Sequence, residues 1–599
     1  DDDDDDDDEV NERINMVLEE INSITGMKIS KKSSIRKVIS SGIRQPKPLN
    51  PIQVPKSTTE ALKIPEWKKA IEMEYNAMIE QDVWTEVARK DLPPTANVLP
   101  VKWVLKVKYL ADGALDKYKA RLCPKGFRQK YGIDFHEVYA HTGSYKAWRL
   151  LLSLSARWGH KLVKMDVPEA FLKADLKEDI YMELPEGFQK EGIVVKLNKA
   201  LYGLKQAPRE WDALAHTVLT NLLGFKALVS DRSLYCKRSK SGRILLMFRF
   251  VDDVKGSYHP QDTDEFMLII KQMEERFKGL TVCHKVDQFL GMNITCDETL
   301  HTIKVDMKLF IEQALIKYGL ENCKPAPSPE SVSNSSRKPN TNTKEIEEEK
   351  HSEKLLNEVD KQRYMEMVGT VMYAAQAARP DISHAAYRCA CKMQSPNEMD
   401  LIAVKRILRY LSGTKEIGLI FGAHDSRKNL NPSSYDSRGY AKQLVEVCAY
   451  ADADWGNNKE DRKSVSGWVT KLNGDVLSWS SKKQRTVALS TCEAELYAEA
   501  AAIQEVLWLR GCLQELGLRV ETGSIIHGDN QSTITVSKGN IKGERTKHVD
   551  VKYKFITETI DQGNVTLKWI PTSEQVADIF TKALPTPLHT KFRSCLMSA

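Results

Sequence analysis

The stretch RFVDDVKGSYHP, residues 249–260, decides how the first half of the chain is read. A hydrophobic run, ILLMFRFV (244–251), carries straight into two adjacent carboxylates, Asp252 and Asp253. Strand-forming residues on both sides of a short polar break describe a β-hairpin with the aspartates at its tip. Adjacent carboxylates repel, so a purely structural role is awkward, although Asp is also an ordinary turn residue. A divalent cation changes the balance, because Mg2+ takes hard oxygen ligands and leaves room for phosphate and water. A third carboxylate stands in KLVKMDVPEAFL (161–172), where Asp166 ends an apolar strand and Pro168 suits a turn or helix start. Two strands ending in Asp166 and in Asp252–Asp253 have the composition that two-metal phosphoryl transfer requires.

The rest of the chain gives this pattern room. It has 599 residues, 41% hydrophobic and 28% charged, enough for several globular domains. No apolar window of about 18 residues exists, so no transmembrane helix is expected. The N-terminus shows neither a signal-peptide core nor an Arg-rich transit pattern. Net charge is +6, yet eight acidic groups sit in Asp1–Asp8, a run expected to be a solvated tail. The remainder is therefore more basic than the total, which suits a polyanionic partner. Eleven cysteines without a CxxC pair argue against a disulfide framework or zinc site and favour a reducing compartment.

Residues 1–55 read as a tail or linker containing one amphipathic segment, INMVLEEINSI. VLPVKWVLKVKYLADGALDKYKARL (98–122) predicts a hairpin turning at Ala111-Asp112-Gly113. WRLLLSLSARWGH (148–160) predicts a helix. Residues 326–360, rich in Pro, Ser, Asn, Lys and Glu, predict a linker, and 361–445 a helical connector. From 446 strands resume, followed by a long helix through STCEAELYAEAAAIQEVLWLRGCLQEL (490–516).

The second block carries its own acids. In VEVCAYADADW (445–455), Asp452 and Asp454 alternate onto one face of a strand. On the long helix Leu496, Ala500 and Ile503 form an inner stripe with Glu495 at its edge. Asp529 ends the apolar strand IIHGDN, and Asp550 lies near the start of a helix in RTKHVDVKYKFITETI (545–560). Taken singly, each is an ordinary surface acid. Together they can converge on two metals.

Both blocks resemble the Pol polyprotein of Ty1/copia-type LTR retrotransposons. KYKARLCPKGFRQKYGIDF (117–135), MDVPEAFLKADLKEDIYMELPEGF (165–188), KALYGLKQAPREW (199–211), FVDD (250–253) and NCKPAPSP (322–329) are similar to its reverse transcriptase, in the same order. YADADW, DRKSVSGWV, SWSSKKQRTVALSTCEAEL, GDNQS and RTKHVDVKYKFI resemble its RNase H domain. The resemblance implies an α/β and α+β multidomain chain. A right-hand polymerase of fingers, palm and thumb (56–325) would be followed by the 326–360 linker, a connection segment (361–445), an RNase H-like α/β domain (446–590) and a tail (591–599).

It implies metal-binding triad positions at Asp166, Asp252 and Asp253, and RNase H ligands at Asp452, Glu495, Asp529 and Asp550. Asp454 is the alternative for the first of these, and His548 lies beside the last. Phe171 falls where the family carries an aromatic wall against the sugar 2′ position. Lys119 and Arg121 fall where the triphosphate is met, and Gly203, with Tyr202 and Lys205, near template and incoming base. FLGMNI (289–294) resembles the strand that grips the primer.

The implied activity is RNA- and DNA-directed DNA synthesis with RNase H cleavage, using two Mg2+ per site with Mn2+ as a substitute. The implied partners are RNA template, DNA primer, RNA–DNA hybrid and dNTPs, with integrase or a second copy of the chain beside them and no membrane. The implied location is a cytoplasmic virus-like particle or the nucleus. Three departures stand out: Lys255 and Arg249 beside the aspartates, and AHTGS (140–144) in place of an apolar segment. Alternation puts Val254 inward and Lys255 toward solvent or primer phosphate. These departures motivate the alternative reading, a degenerate or repurposed nucleic-acid-binding copy without polymerase activity.

Overall fold

A computed structural model of the chain describes residues 8–25, 36, 39, 52–109, 115–331, 354–423, 444–456, 461–537 and 547–597. The apolar run before Asp252 forms the strand Ile244–Phe250, which folds back on Asp253–Tyr258. These two sit at the centre of a six-stranded antiparallel sheet in the order Thr281–Cys283, Lys161–Asp166, Asp253–Tyr258, Ile244–Phe250, Leu234–Arg238, Lys226–Ala227. Both faces of this palm sheet are covered. On one lies the helix Thr263–Phe277, admitted because Gly256 has no side chain where the Phe266 ring and Val163 sit. On the other, Trp148 of the helix Tyr145–Trp158 packs its ring 5.5 Å from that of Phe248 and 4.7 Å from that of Phe289.

The fingers hairpin Val101–Tyr109/Leu115–Pro124 pairs as expected, with its turn outside the described residues. A thumb sheet follows: Gln288–Phe289, Met292–Asp297 and Thr302–Asp306, closed by Leu419–Phe421 from beyond the connector helices. The second block is a five-stranded sheet in the order Asp475–Lys483, Val465–Leu472, Val447–Asp454, Ser524–Gly528, Val565–Trp569, antiparallel through the first three and parallel thereafter. The helix Thr491–Glu515 lies on it. Its small residues Ala494, Ala498 and Ala502 are fully buried, which allows close approach to the sheet.

Three boundaries differ from the sequence reading. Part of the expected N-terminal tail is the helix Asp8–Thr25, which buries Ile14, Val17, Leu18 and Ile21 in the large core shared with the connector. The expected tail 591–599 is largely the helix Thr586–Leu596, with Phe592 and Leu596 buried and His589 Nε2 3.0 Å from the carbonyl of Asp381. The ends of the expected linker are anchored: Glu330 holds His384 at 2.6 Å and Arg388 at 3.1 Å, while residues 332–353 lie outside the described residues.

The two blocks are clasped together by the helix Tyr145–Trp158. Arg149 donates to the carbonyls of Leu477 (2.6 Å) and Gln376 (2.7 Å). Ser153 (2.6 Å) and Arg157 (3.1 Å) both donate to Asp475 Oδ2, and the Gly422 N–H donates to its other oxygen at 3.0 Å. Asp475 is completely buried, so these donors replace its water shell. Among the described residues no helix is long and apolar enough to cross a membrane.

Candidate active sites

In the palm, Asp166 and Asp253 are direct cross-strand partners. Phe250 pairs with Asp253 on the other side, leaving Val251 and Asp252 as the turn. Val251 is held at φ +53°, a region that β-branched residues avoid. The Trp211 indole N–H bonds its carbonyl at 2.7 Å and fixes the turn. Burial, then the charges of Asp166 and Asp253, push the Asp252 carboxyl up to about 6. Such a cluster has negative charge to spare, and its all-oxygen donor set fits Mg2+ or Mn2+.

Lys255 does not face solvent. It is 1% exposed, with its ammonium 2.8 Å from Asp253 Oδ1 and 4.3 Å from the centre of the Phe289 ring. Lys164 approaches the same oxygen at 3.5 Å. Alternation assigned Val254 and Lys255 to opposite faces correctly, but both faces of this sheet are buried. Arg249 is likewise buried and ion-paired with Asp212. The AHTGS segment has a local reason as well. A side chain at Gly143 would collide with Phe248, 2.4 Å from the Cβ position, and Ser144 caps the helix through the Ala147 N–H at 3.2 Å.

Around the palm, Phe171 is buried with its ring centre 4.5 Å from that of Tyr202, and the Arg121 guanidinium lies 3.9 Å above the Tyr202 ring. Lys119 and Arg121 also face Glu74. Burial and Glu169 push the Glu74 carboxyl up to about 7 against the pull of the two cations. Gly203 sits at the base of the fingers hairpin with φ +101°, where a Cβ would lie 2.6 Å from the Pro124 carbonyl. Lys205 bonds the Gln129 carbonyl at 3.3 Å and covers the Phe135 ring at 4.4 Å.

In the second block, Asp452 lies on the strand Val447–Asp454, and Asp529 immediately follows the neighbouring parallel strand Ser524–Gly528. A third carboxylate joins them, Asp578 from the short helix Val576–Phe580. One oxygen of each lies within 4.8 Å of the others, the one such group of three among the described residues. Glu495 stands beside them. Burial, Asp452 and Asp529 raise its pKa well above the ordinary value. Asp454 is outside the group. Asp550 begins the helix Lys547–Asp561, but its side chain and that of His548 lie outside the described residues.

Asp578 was not read from the sequence. The available signal was an acid inside the apolar run VADIF, whose other four residues are all buried. Burial and Asp452 push its carboxyl up to about 7. Lys582 reaches Asp578 Oδ1 at 2.9 Å and Asp452 Oδ2 at 3.4 Å. Burial alone would lower its pKa, but these carboxylates outweigh burial and raise it. Thr581 donates to Asp452, and Thr572 to Asp529 at 2.8 Å, so two of the three acids are held in place.

Residues 81–331 match the family described as reverse transcriptase (RNA-dependent DNA polymerase). The chain is 34% identical over 557 residues to the retrovirus-related Pol polyprotein from transposon TNT 1-94 of Nicotiana tabacum, covering 90% of this chain and 38% of that one. It is 32% identical over 553 residues to the Pol polyprotein from transposon RE1 of Arabidopsis thaliana, covering 90% and 34%. The chain thus spans little more than a third of the length of these relatives. Among solved structures, a foamy viral protease–reverse transcriptase in complex with RNA/DNA hybrid aligns with 93% of this chain and 63% of its own, at 12% identity and a TM-score of 0.43. Over 90% of its length the chain is thus similar to the Ty1/copia-type retrotransposon Pol polyproteins.

Proposed function

We propose that the chain is an RNA- and DNA-directed DNA polymerase with RNase H activity, converting retrotransposon RNA into double-stranded DNA by two-metal phosphoryl transfer. The supporting observation is that carboxylates gather at two separate sheets, Asp166 and Asp253 at paired strand ends in one and Asp452, Asp529 and Asp578 within 4.8 Å of one another beside the other. Asp166, Asp252 and Asp253 would hold Mg2+ in the palm, and Asp452, Asp529, Asp578 and Glu495 in the second site. Bound there, the ions supply Lewis acidity and charge neutralisation at phosphorus.

The chain's own side chains do the rest. Lys119 and Arg121 present cations to the dNTP triphosphate, and the Tyr202 ring beneath Arg121 fixes the plane of its guanidinium. Phe171, packed at a tilt against Tyr202, closes the sugar side of the pocket against a 2′-hydroxyl. In the second site Thr581 and Lys582 hold Asp452 and Asp578 in register with Asp529. A hybrid is the fitting substrate there, since its RNA strand offers 2′-hydroxyls to read.

Asp252→Asn should abolish primer extension with Mg2+ and leave hybrid cleavage intact, because an amide removes a ligand charge from one site only. Asp578→Asn should do the reverse. Undiminished extension by Asp252→Asn would sink the palm assignment. The ion pair of Lys255 with Asp253 favours the second reading, nucleic-acid binding without synthesis. A wild-type chain that binds template–primer but never extends it would establish that reading instead.

A further inference from the structure

Lys255 is a charge that the proposed palm chemistry does not use. It cannot retreat to solvent, being 1% exposed and roofed by the Phe289 ring at 4.3 Å. Its ammonium holds Asp253 Oδ1 at 2.8 Å, and Lys164 adds a second cation at 3.5 Å. The two carboxylate clusters differ in a corresponding way. Asp452, Asp529 and Asp578 bring their oxygens within 4.8 Å of one another, whereas among the described residues the palm aspartates form no such group. The cation partner differs too. The Lys582 side chain is one-third exposed to solvent, whereas that of Lys255 is enclosed.

From these contacts, and resting on the palm reading above, we propose that Lys255 is a built-in counter-cation. It turns Asp253 toward the Phe289 strand and makes the palm take up divalent ions more weakly than the same three aspartates would alone. Two physical effects act together. One ligand oxygen is already engaged, and a fixed positive charge close to the ligand repels an arriving ion in a poorly screened interior. Asp166 and Asp252 then carry most of the ion binding, with Asp253 a minor contributor. Lys255 is a positioning residue, acting through Asp253.

The test is Mn2+ binding to the full chain without nucleic acid, followed by electron paramagnetic resonance in a background carrying Asp452→Asn and Asp578→Asn to silence the second cluster. Lys255→Met, which keeps the length of the side chain and removes the charge, should bind Mn2+ about tenfold more tightly. Lys255→Arg should bind as the parent does. Should Lys255→Met fail to fold, Asp253→Asn in the same background decides: it should weaken Mn2+ binding far less than Asp166→Asn or Asp252→Asn. Unchanged or weaker binding by a folded Lys255→Met, or a loss in Asp253→Asn as large as in Asp252→Asn, overturns the inference alone. A parent that binds no Mn2+ in the palm overturns the palm reading together with it.

Discussion

Glu499 stands one helical turn beyond Glu495, buried, with Ser537 donating to it at 3.4 Å. Burial pushes its carboxyl up to about 8 from the ordinary 4.5. Between those values the folded chain holds a proton that the unfolded chain has lost, so stability falls as pH rises through this window. Glu499→Gln should therefore gain melting temperature over wild type as pH rises from about 6 to about 9. Thermal denaturation at both ends checks it, and a constant difference would place the proton elsewhere. Phe171 offers a second residue-scale outcome. Phe171→Ala should raise ribonucleotide incorporation relative to dNTP in single-nucleotide extension. Truncating a buried Phe costs about 3–5 kcal/mol, so a packing role alone would lower both incorporations together through stability. Phe171 was singled out because it follows Asp166 at a short offset in one motif. Glu499 was not, because a lone Glu on a long helix gives no sign of which face it occupies.

At the scale of elements, the fingers hairpin is held by strong alternation on its apolar side, where Trp103, Val107, Ala120 and Leu122 are buried. Its register places Lys106 opposite Lys119. Like charges directly across a strand pair destabilise it, and a polyanion laid along the hairpin would relieve the repulsion. Template–primer affinity should thus fall steeply with salt. Removing Lys117 or Lys119 should shallow the slope of log K against log[salt] by about one unit if that side chain meets a phosphate. Fluorescence anisotropy across a salt series measures it, and an unchanged slope for both would detach the hairpin from the nucleic acid. Strands and hairpins such as this one were readable because alternation and turn residues agree. The palm strands defeated that reading at Lys255, since alternation says which residues share a face and nothing about which face is open. Asp578 escaped for a different reason: it belongs to a five-residue helix, too short to show any period.

Across the whole molecule, motif order separated two acid-bearing blocks, whereas their mutual seating was not readable from it. Arg149, Ser153 and Arg157 are polar residues on a largely apolar helix, and their acceptors Leu477 and Asp475 lie more than 300 residues away. Asp475→Ala should leave Arg157 buried without its carboxylate, at a cost of about 3–5 kcal/mol. Calorimetry should show one unfolding transition in wild type and, in the variant, an earlier one split between the two blocks. A variant melting as wild type does would mean that the clasp carries no coupling. The clasp has one more consequence for the activity proposed here. With both blocks bonded to a single helix, a hybrid threaded through the two proposed sites would be cut at a constant spacing behind the growing end. The molecule would then act as a ruler, leaving RNA fragments of nearly uniform length, and loosening the bolt would blur the graduations.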